Sequence, residues 1–305
     1  MRKSLITTAL LTSVIALSAC SKMHNNAETI SGENAETNNI VGGTSVAASE
    51  DIAKTTVQIF TVQTKRDATG ALRITGVAGC TGSLLANDIV LTAAHCTTDN
   101  PNYILLYFST QAPDMKQLMA SVNTNPLIRR VVGGKVGTNW PRLTETQQSD
   151  WGDIALLKFK GGIPQGYQPA QLLPSDAELK AQQAVTLAGF GLTDGVRNIQ
   201  SDRLLKVDIT ILNPSYSRSE MVVDSGNGKG PCHGDSGGPA YVNVNGQRFL
   251  AGITSRAESQ TDPKGQCIGD TIYTRTQPYS AWIKSSMQTL QSPNFKPALI
   301  PQPQG

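Results

Sequence analysis

The sequence predicts an all-β protein that ends in one helix. Short apolar runs separated by turn residues recur along the chain, without long amphipathic helices between them. Asn245-Gly246 joins two such runs, which is a strong β-hairpin signal. Near the end, apolar residues recur at helical spacing after Pro278, which is suited to the first turn of a helix. We therefore expect one domain over residues 40–290, roughly 250 residues with a sizeable core.

The individual elements follow from these runs. The helix is predicted from one apolar face, formed by Tyr279, Trp282, Ile283, Met287 and Leu290. The predicted strands cover residues 56–62, 72–78, 89–93, 103–108, 154–159, 184–188, 204–212 and 240–244.

The first 39 residues do not fit this domain. A basic start followed by the apolar run 5–17 is typical of a signal peptide, predicted here over residues 1–19, and is too short for a membrane span. Residues 17–20 read Leu-Ser-Ala-Cys and resemble the bacterial lipobox, which implies a lipid on Cys20. The alternative is an ordinary cleavage site with a chance cysteine.

Two further segments lack the apolar residues that a core needs. Residues 20–39 are polar after the cysteine, and we interpret them as a lipidated tether or propeptide. Residues 291–305 are rich in proline and glutamine, which predicts a disordered tail.

The strongest chemical signal lies at residues 230–239, which read Gly-Pro-Cys-His-Gly-Asp-Ser-Gly-Gly-Pro. Ser236 is the candidate nucleophile, and the glycines around it allow the N–H groups of Gly234 and Ser236 to serve as oxyanion donors. A glycine-rich turn is the alternative for so short a pattern. The run Gly-Asp-Ser-Gly-Gly-Pro resembles the nucleophile loop of trypsin- and chymotrypsin-like serine proteases.

A serine nucleophile needs a base, and the chain has three histidines. His95 lies in the run Leu-Thr-Ala-Ala-His-Cys, which resembles the histidine motif of the same family. His233 is interpreted as a residue on the substrate side of the cleft. His24 lies in the polar tether and is interpreted as incidental.

The acid that orients the base is predicted at Asp153, which leads into the apolar run Ile-Ala-Leu-Leu. A turn or cap aspartate is the alternative. His95, Asp153 and Ser236 follow the chain order of chymotrypsin-like enzymes. A cut in the dibasic stretch 129–134 would separate His95 from Asp153, so we interpret that stretch as a strand and an exposed loop.

The resemblance implies two packed antiparallel six-stranded β-barrels with the active site between them. It implies peptide hydrolysis through an acyl-enzyme, with Ser255 supporting Asp153 and pairing with substrate backbone. It also implies a zymogen: a cut before Ile40, in Ile-Val-Gly-Gly, would free an amine that pairs with Asp235. The family usually has Arg or Lys before the cut, whereas this chain has asparagine, so the activating protease is unknown.

Substrate preference depends on fewer matches. The resemblance places Gly230, Ser255 and Ala257 at the substrate pocket, with Gly230 where trypsins carry an aspartate. Arg256 replaces the usual tryptophan. Asp270 is the candidate to reach the pocket floor and favour Lys or Arg, with a solvent-facing turn residue as the alternative.

The five cysteines leave one unpaired in an exported protein. The resemblance implies two disulfides, Cys80 with Cys96 and Cys232 with Cys267, so that Cys20 remains for the lipid. Disulfides also indicate an oxidising compartment.

Composition limits the partners. A formal net charge of +3 and the lack of basic runs with interleaved aromatics give no sign of nucleic-acid binding. The sequence shows no metal-ligand cluster, so we expect no metal and no cofactor. We expect a monomer acting on protein or peptide substrates, anchored through Cys20 to a bacterial membrane facing the periplasm or exterior and released after activation. The alternative is an inactive protease homologue that acts as a lipid-anchored binding module.

Overall fold

The computed structural model describes residues 40–97, 103–140, 149–262, 264 and 266–297. The predicted signal peptide, the tether with Cys20 and His24, and residues 298–305 of the predicted tail lie outside these ranges. None of the helices in the described ranges has the length and apolar character needed to cross a membrane.

The first half forms a closed antiparallel barrel of six strands. Its strands carry aliphatic and aromatic side chains on both faces, in two separate apolar clusters. Going around the barrel, the strands are β2 (Thr56–Arg66), β3 (Leu72–Ala86), β4 (Ile89–Thr92), β7 (Ala155–Phe159), β6 (Ile128–Val136) and β5 (Tyr103–Tyr107).

The second half forms another six-stranded antiparallel barrel, closed by pairing of its first two strands in sequence, β8 and β11. A seventh, short strand, β1 (Thr44–Ser45), pairs with β11 but is not one of the six barrel strands. Going around the barrel, the strands are β8 (Ala184–Gly189), β11 (Leu205–Asn213), β12 (Glu220–Val223), β15 (Thr271–Arg275), β14 (Gln247–Ala257) and β13 (Pro239–Val244).

One apolar cluster joins the two barrels and the C-terminal helix α3 (Ser280–Gln291). Ile283 and Leu290 of α3 are buried in it beside Leu91 and Leu156 of the first barrel and Ile253 of the second. The helix face predicted from the sequence is confirmed, because Tyr279, Trp282 and Met287 also pack there. The predicted fold class, two six-stranded barrels with a C-terminal helix, is likewise confirmed.

Three small elements complete the described chain. They are the helices α1 (Asp51–Thr55) and α2 (Met115–Ala120) and the hairpin of β9 (Leu192–Asp194) with β10 (Ile199–Gln200). The predicted Asn245-Gly246 hairpin is also present: both residues have positive φ, and Val244 pairs with Gln247 across the turn.

Several predicted boundaries were wrong. β2 continues past residue 62 to Arg66, and β3 continues past residue 78 to Ala86. Residues 133 and 134, expected in an exposed loop, are buried within β6. Gln291, the first residue of the predicted disordered tail, ends α3, and Phe295 packs on the cluster between the barrels.

Candidate active site

His95 and Asp153 meet at the junction of the two barrels. His95 lies in a short 3-10 turn after β4, and Asp153 lies just before β7, the strand that pairs with β4. The imidazole Nδ1 is 2.8 Å from Asp153 Oδ2, and the His95 main-chain N–H donates to Asp153 Oδ1 at 3.0 Å. Two contacts to one carboxylate fix both the position and the ring orientation of His95.

Asp153 is held in its ionised form although it is 1% exposed. Burial alone would raise the pKa of its carboxyl, but the charge of His95 and hydrogen bonds from His95 and Ser255 hold the pKa below its usual range. The Ser255 hydroxyl donates to Oδ2 at 2.6 Å, and Thr274 Oγ1 donates to the Asp153 carbonyl at 3.0 Å. The second barrel therefore supports an acid that the first barrel carries.

Ser236 lies in a tight loop anchored to β3. The Thr81 N–H donates to the Ser236 carbonyl at 2.9 Å, and Thr81 Oγ1 donates to the Gly234 carbonyl at 3.0 Å. Glycine is required at 237, where φ is +76° and a Cβ would lie 2.0 Å from Thr92 Oγ1. No local pattern in the sequence indicates this role for Thr81, which precedes Ser236 by 155 residues.

The N–H groups of Gly234 and Ser236 have no acceptor among the described residues. The carbonyl of each preceding peptide bond is hydrogen-bonded on the opposite side, His233 O to Leu192 N and Asp235 O to Gly238 N, both at 2.8 Å. Because the C=O and N–H of a trans peptide point in opposite directions, both N–H groups point away from these partners. Two donors beside the candidate nucleophile are what an oxyanion site requires.

A cavity of 260 Å³ brings these residues together. His95, Ser236, Ser255 and Ala257 all line it, as four of the predicted site residues. Asp262 also lines it, and the sequence reasoning missed that residue because nothing local distinguishes it from a loop aspartate. Neither Gly230 nor Asp270 is among the described residues of its wall.

Gly230 and Asp270 lie on two different loops, and both lie next to Ser225. A Cβ on Gly230 would lie 2.3 Å from Ser225 Cβ, so this position has no room for the aspartate of trypsins. Asp270 Oδ1 accepts hydrogen bonds from the N–H groups of Ser225 and Gly226, both at 3.2 Å. A substrate cation would have to compete with these two bonds, so contact between Asp270 and substrate stays a prediction.

Asp262 is 3% exposed and is held by hydrogen bonds within its own loop. Its carboxylate accepts hydrogen bonds from three successive N–H groups, those of Gln266, Cys267 and Ile268. A carboxylate can accept about four hydrogen bonds, so Asp262 retains capacity for a further donor from the cavity.

Ile40 and Asp235, the two residues of the predicted activation pair, are both buried. Ile40 is 0% exposed and packs in the interior of the second barrel, and its neighbour Val41 accepts a hydrogen bond from Gly230 N at 2.9 Å. Asp235 accepts hydrogen bonds from Gly191 N and Cys232 N. Burial raises the pKa of Asp235 to about 7, and no basic group of the described chain forms an ion pair with it.

Both predicted disulfides are present, Cys80 with Cys96 and Cys232 with Cys267. Cys80, Cys96 and His95 lie close enough to suggest a metal site, but a disulfide removes the thiolates that would bind the ion. The second disulfide instead borders the cavity beside Ser236.

A second, mostly apolar cavity of 380 Å³ lies on the other side of the nucleophile loop. His233 and Gly234 line it together with Phe60 and Met115 of the first barrel. His233 therefore faces both cavities, as expected for a residue on the substrate side.

Comparison with known proteins agrees with this geometry. A model of the trypsin family matches residues 57–283. CLIP domain-containing serine protease B15 of Anopheles gambiae is 26% identical over 235 residues, 69% of this chain. Phenoloxidase-activating factor 3 of Holotrichia diomphalia is 24% identical over 234 residues, again 69% of this chain. The aligned region spans 62% and 64% of the length of these two relatives.

Proposed function

The chain belongs to the trypsin family, and on that premise we propose that it is a serine endopeptidase whose acyl-enzyme forms on Ser236. The observation that carries the proposal is the hydrogen bond of His95 to the buried carboxylate of Asp153, with the imidazole lining the same cavity as Ser236. An ionised, doubly hydrogen-bonded carboxylate of this kind favours the imidazole tautomer that acts as a base.

In the proposed reaction, Ser236 Oγ attacks the carbonyl carbon of the scissile bond while His95 takes the hydroxyl proton. The resulting oxyanion accepts hydrogen bonds from the N–H groups of Gly234 and Ser236. His95 then gives its proton to the leaving amine, and water repeats the sequence on the acyl-enzyme. Asp153 stays ionised and stabilises the imidazolium.

Incubation of the purified chain, cut before Ile40, with a mixed peptide library tests this function. We expect new termini at a restricted set of sequences, detected by mass spectrometry, and none with the Ser236→Ala variant. A library left intact by correctly cut, folded protein would instead support the inactive binding module.

Two proposals concern how the protein is processed. The cut before Ile40 would place a charged amine on a residue already buried in the second barrel, and Asp235 is a buried carboxylate beside Ser236 that has no ion-pair partner among the described residues. Lipid attachment to Cys20 would tether the uncut form, and the disulfides are typical of proteins that fold outside the cytosol. Mass spectrometry of the membrane fraction tests the lipid directly.

The buried Asp235 predicts that the uncut chain loses stability as pH rises. Its pKa is about 7 when folded and about 4 when unfolded, so the folded form holds a proton that the unfolded form releases. Relative to the Asp235→Asn variant, the free energy of unfolding should therefore fall between pH 4 and 7, by about 4 kcal/mol at most. Urea unfolding across this range measures the difference, and parallel curves for both proteins would contradict it.

The cut form should behave differently at alkaline pH. A free amine has a pKa of about 8, and pairing with Asp235 should raise it. The contribution of the pair is then complete below the free pKa and is lost as pH rises through the folded value.

The acidic wall of the cavity predicts a preference for Lys or Arg before the scissile bond. We expect Asp262→Asn to lower kcat/KM for such substrates about tenfold, because a carboxylate at the wall favours a cation. Asp270→Asn should have a smaller effect, since Asp262 lines this cavity and Asp270 is not among its described lining residues. Peptides with Leu at the same position control for loop damage; equal losses on Lys and Leu substrates would exclude the charge effect.

A further inference from the structure

The segment before Asp153 is docked on the second barrel by a buried carboxylate. Glu220, at the start of β12, is 1% exposed and accepts hydrogen bonds from the main-chain N–H groups of Asp150 at 2.9 Å and Trp151 at 3.2 Å. Glu220 also pairs in register with Thr274, which holds the Asp153 carbonyl. The adjacent strands β12 and β15 of the second barrel thus form hydrogen bonds to the two ends of the segment 150–153.

Asp150 strengthens this attachment from the other side. It has a φ of +56°, a left-handed conformation that is uncommon outside glycine. Its carboxylate accepts hydrogen bonds from the Ser217 hydroxyl at 2.8 Å and from both the N–H and the hydroxyl of Ser219. The strained backbone before Asp153 is therefore maintained by contacts with the second barrel.

Arg256 provides the counter-charge for Glu220. Its guanidinium binds the two carboxylate oxygens at 2.8 and 3.2 Å, a bidentate geometry, and stacks 3.9 Å from the centre of the Trp151 ring. One of its nitrogens lies 3.4 Å from the hydroxyl of Ser255, the residue that donates to Asp153. A fixed positive charge, 13% exposed, therefore lies one hydroxyl group away from the acid that orients His95.

We propose that Glu220 and Arg256 are positioning residues that hold the Asp153 segment against the second barrel and together balance the charge around His95. The inference rests on the proposed function for its catalytic meaning. It adds one requirement: the negative charge of Glu220 and the positive charge of Arg256 have opposite and nearly equal effects on protonation of the His95 imidazole.

Other charged groups surround this pair. On the second-barrel side, these are the carboxylate of Asp150 and the guanidinium groups of Arg218 and Arg275. Burial raises the pKa of the Tyr279 hydroxyl, and the negative charges of Asp150, Glu220 and Asp153 raise it further, so these carboxylates share one neighbourhood. On the cavity side, the charged or titratable wall residues are His233 and Asp262. All of these groups stay unchanged when the pair is altered.

Removing one charge at a time should move the pKa of His95 in opposite directions. Arg256→Met keeps an apolar side chain against Trp151 but removes the positive charge beside Glu220. The remaining negative charge favours the imidazolium form of His95 and raises the pKa of His95. Glu220→Gln leaves the guanidinium unbalanced and lowers the pKa. Each shift should be about one pH unit at the effective dielectric constant of protein sites, and the double variant should return close to wild type.

The test is an NMR titration of the His95 imidazole in the full chain, with resonances assigned through His24→Ala and His233→Ala. It does not need turnover, so it remains decisive if the chain proves inactive and the proposed function fails. Arg73→Met is the matched control, because Arg73 is also paired with a carboxylate but is 70% exposed on the β2–β3 hairpin. That variant should leave the pKa of His95 unchanged.

In active, cut enzyme the same shifts should appear in the acid limb of kcat/KM, which reports the base of the free enzyme. Opposite shifts with recovery in the double variant support the proposal. Shifts in one direction, or none beyond that of Arg73→Met, overturn it even if activity falls, because a purely structural role predicts lost activity with an unmoved profile. If Arg256→Met fails to fold, two variants still test the proposal: Glu220→Gln should lower the pKa of His95, and the double variant should restore it.

Discussion

Replacing Ser236 or His95 with alanine should lower kcat/KM by about 10⁵-fold. Without the hydroxyl there is no nucleophile. Without the imidazole, no described group hydrogen-bonded to Asp153 can accept the proton of the Ser236 hydroxyl. Steady-state hydrolysis of a cleaved library peptide measures the loss. Circular dichroism should show both variants folded, since neither side chain belongs to an apolar cluster between or within the barrels.

His233→Ala is the matched control for His95→Ala. His233 also lines the cavity with Ser236, and its main-chain carbonyl, which the substitution retains, accepts a hydrogen bond from Leu192 N. A loss of a few fold is expected from altered substrate contacts. If His233→Ala were as inactive as His95→Ala, the assignment of the base would be wrong.

Cutting the chain before Ile40 should raise kcat/KM by about 10² to 10³-fold, the range associated with one oxyanion donor. The new amine would neutralise buried Asp235, which adjoins Ser236 in the loop that carries both candidate donors. A full chain with a site-specific protease sequence in place of residues 35–39 allows activity to be compared before and after cutting.

Asp235→Asn is the control for this activation, because its neutral side chain gives the amine no partner. The cut variant should gain little activity over its uncut form. Equal activity of the uncut and cut wild-type chains would exclude the zymogen proposal while leaving the proposed hydrolysis intact.

Local patterns predicted the fold class and the chain order of the candidate triad. The hairpin at Asn245-Gly246 and the apolar face of α3 are determined by neighbours in the sequence, and both were correctly predicted. The predicted strand ended at residue 78, before the glycines at 79 and 82, whereas β3 continues through both. A Cβ on Gly82 would lie 2.6 Å from a methyl group of Val90, so this glycine permits close packing within the strand.

Contacts between distant segments account for the missed site residues. Thr81 holds the loop of Ser236, and Glu220 pairs with Arg256, 36 residues later. Such pairings depend on how the second barrel closes, which a local pattern does not contain. Arg256 stood out in the sequence as an unusual residue beside Ser255, but its buried partner became evident only in three dimensions.

Labelling by a fluorophosphonate tests the central claim most directly, because the reagent reacts with a serine activated by a neighbouring base. The chain cut before Ile40 should be labelled stoichiometrically, with the adduct located on Ser236 by peptide mass spectrometry. His95→Ala should abolish the labelling, and His233→Ala should retain it. An unlabelled wild-type chain, or an adduct on a serine other than Ser236, would contradict the account.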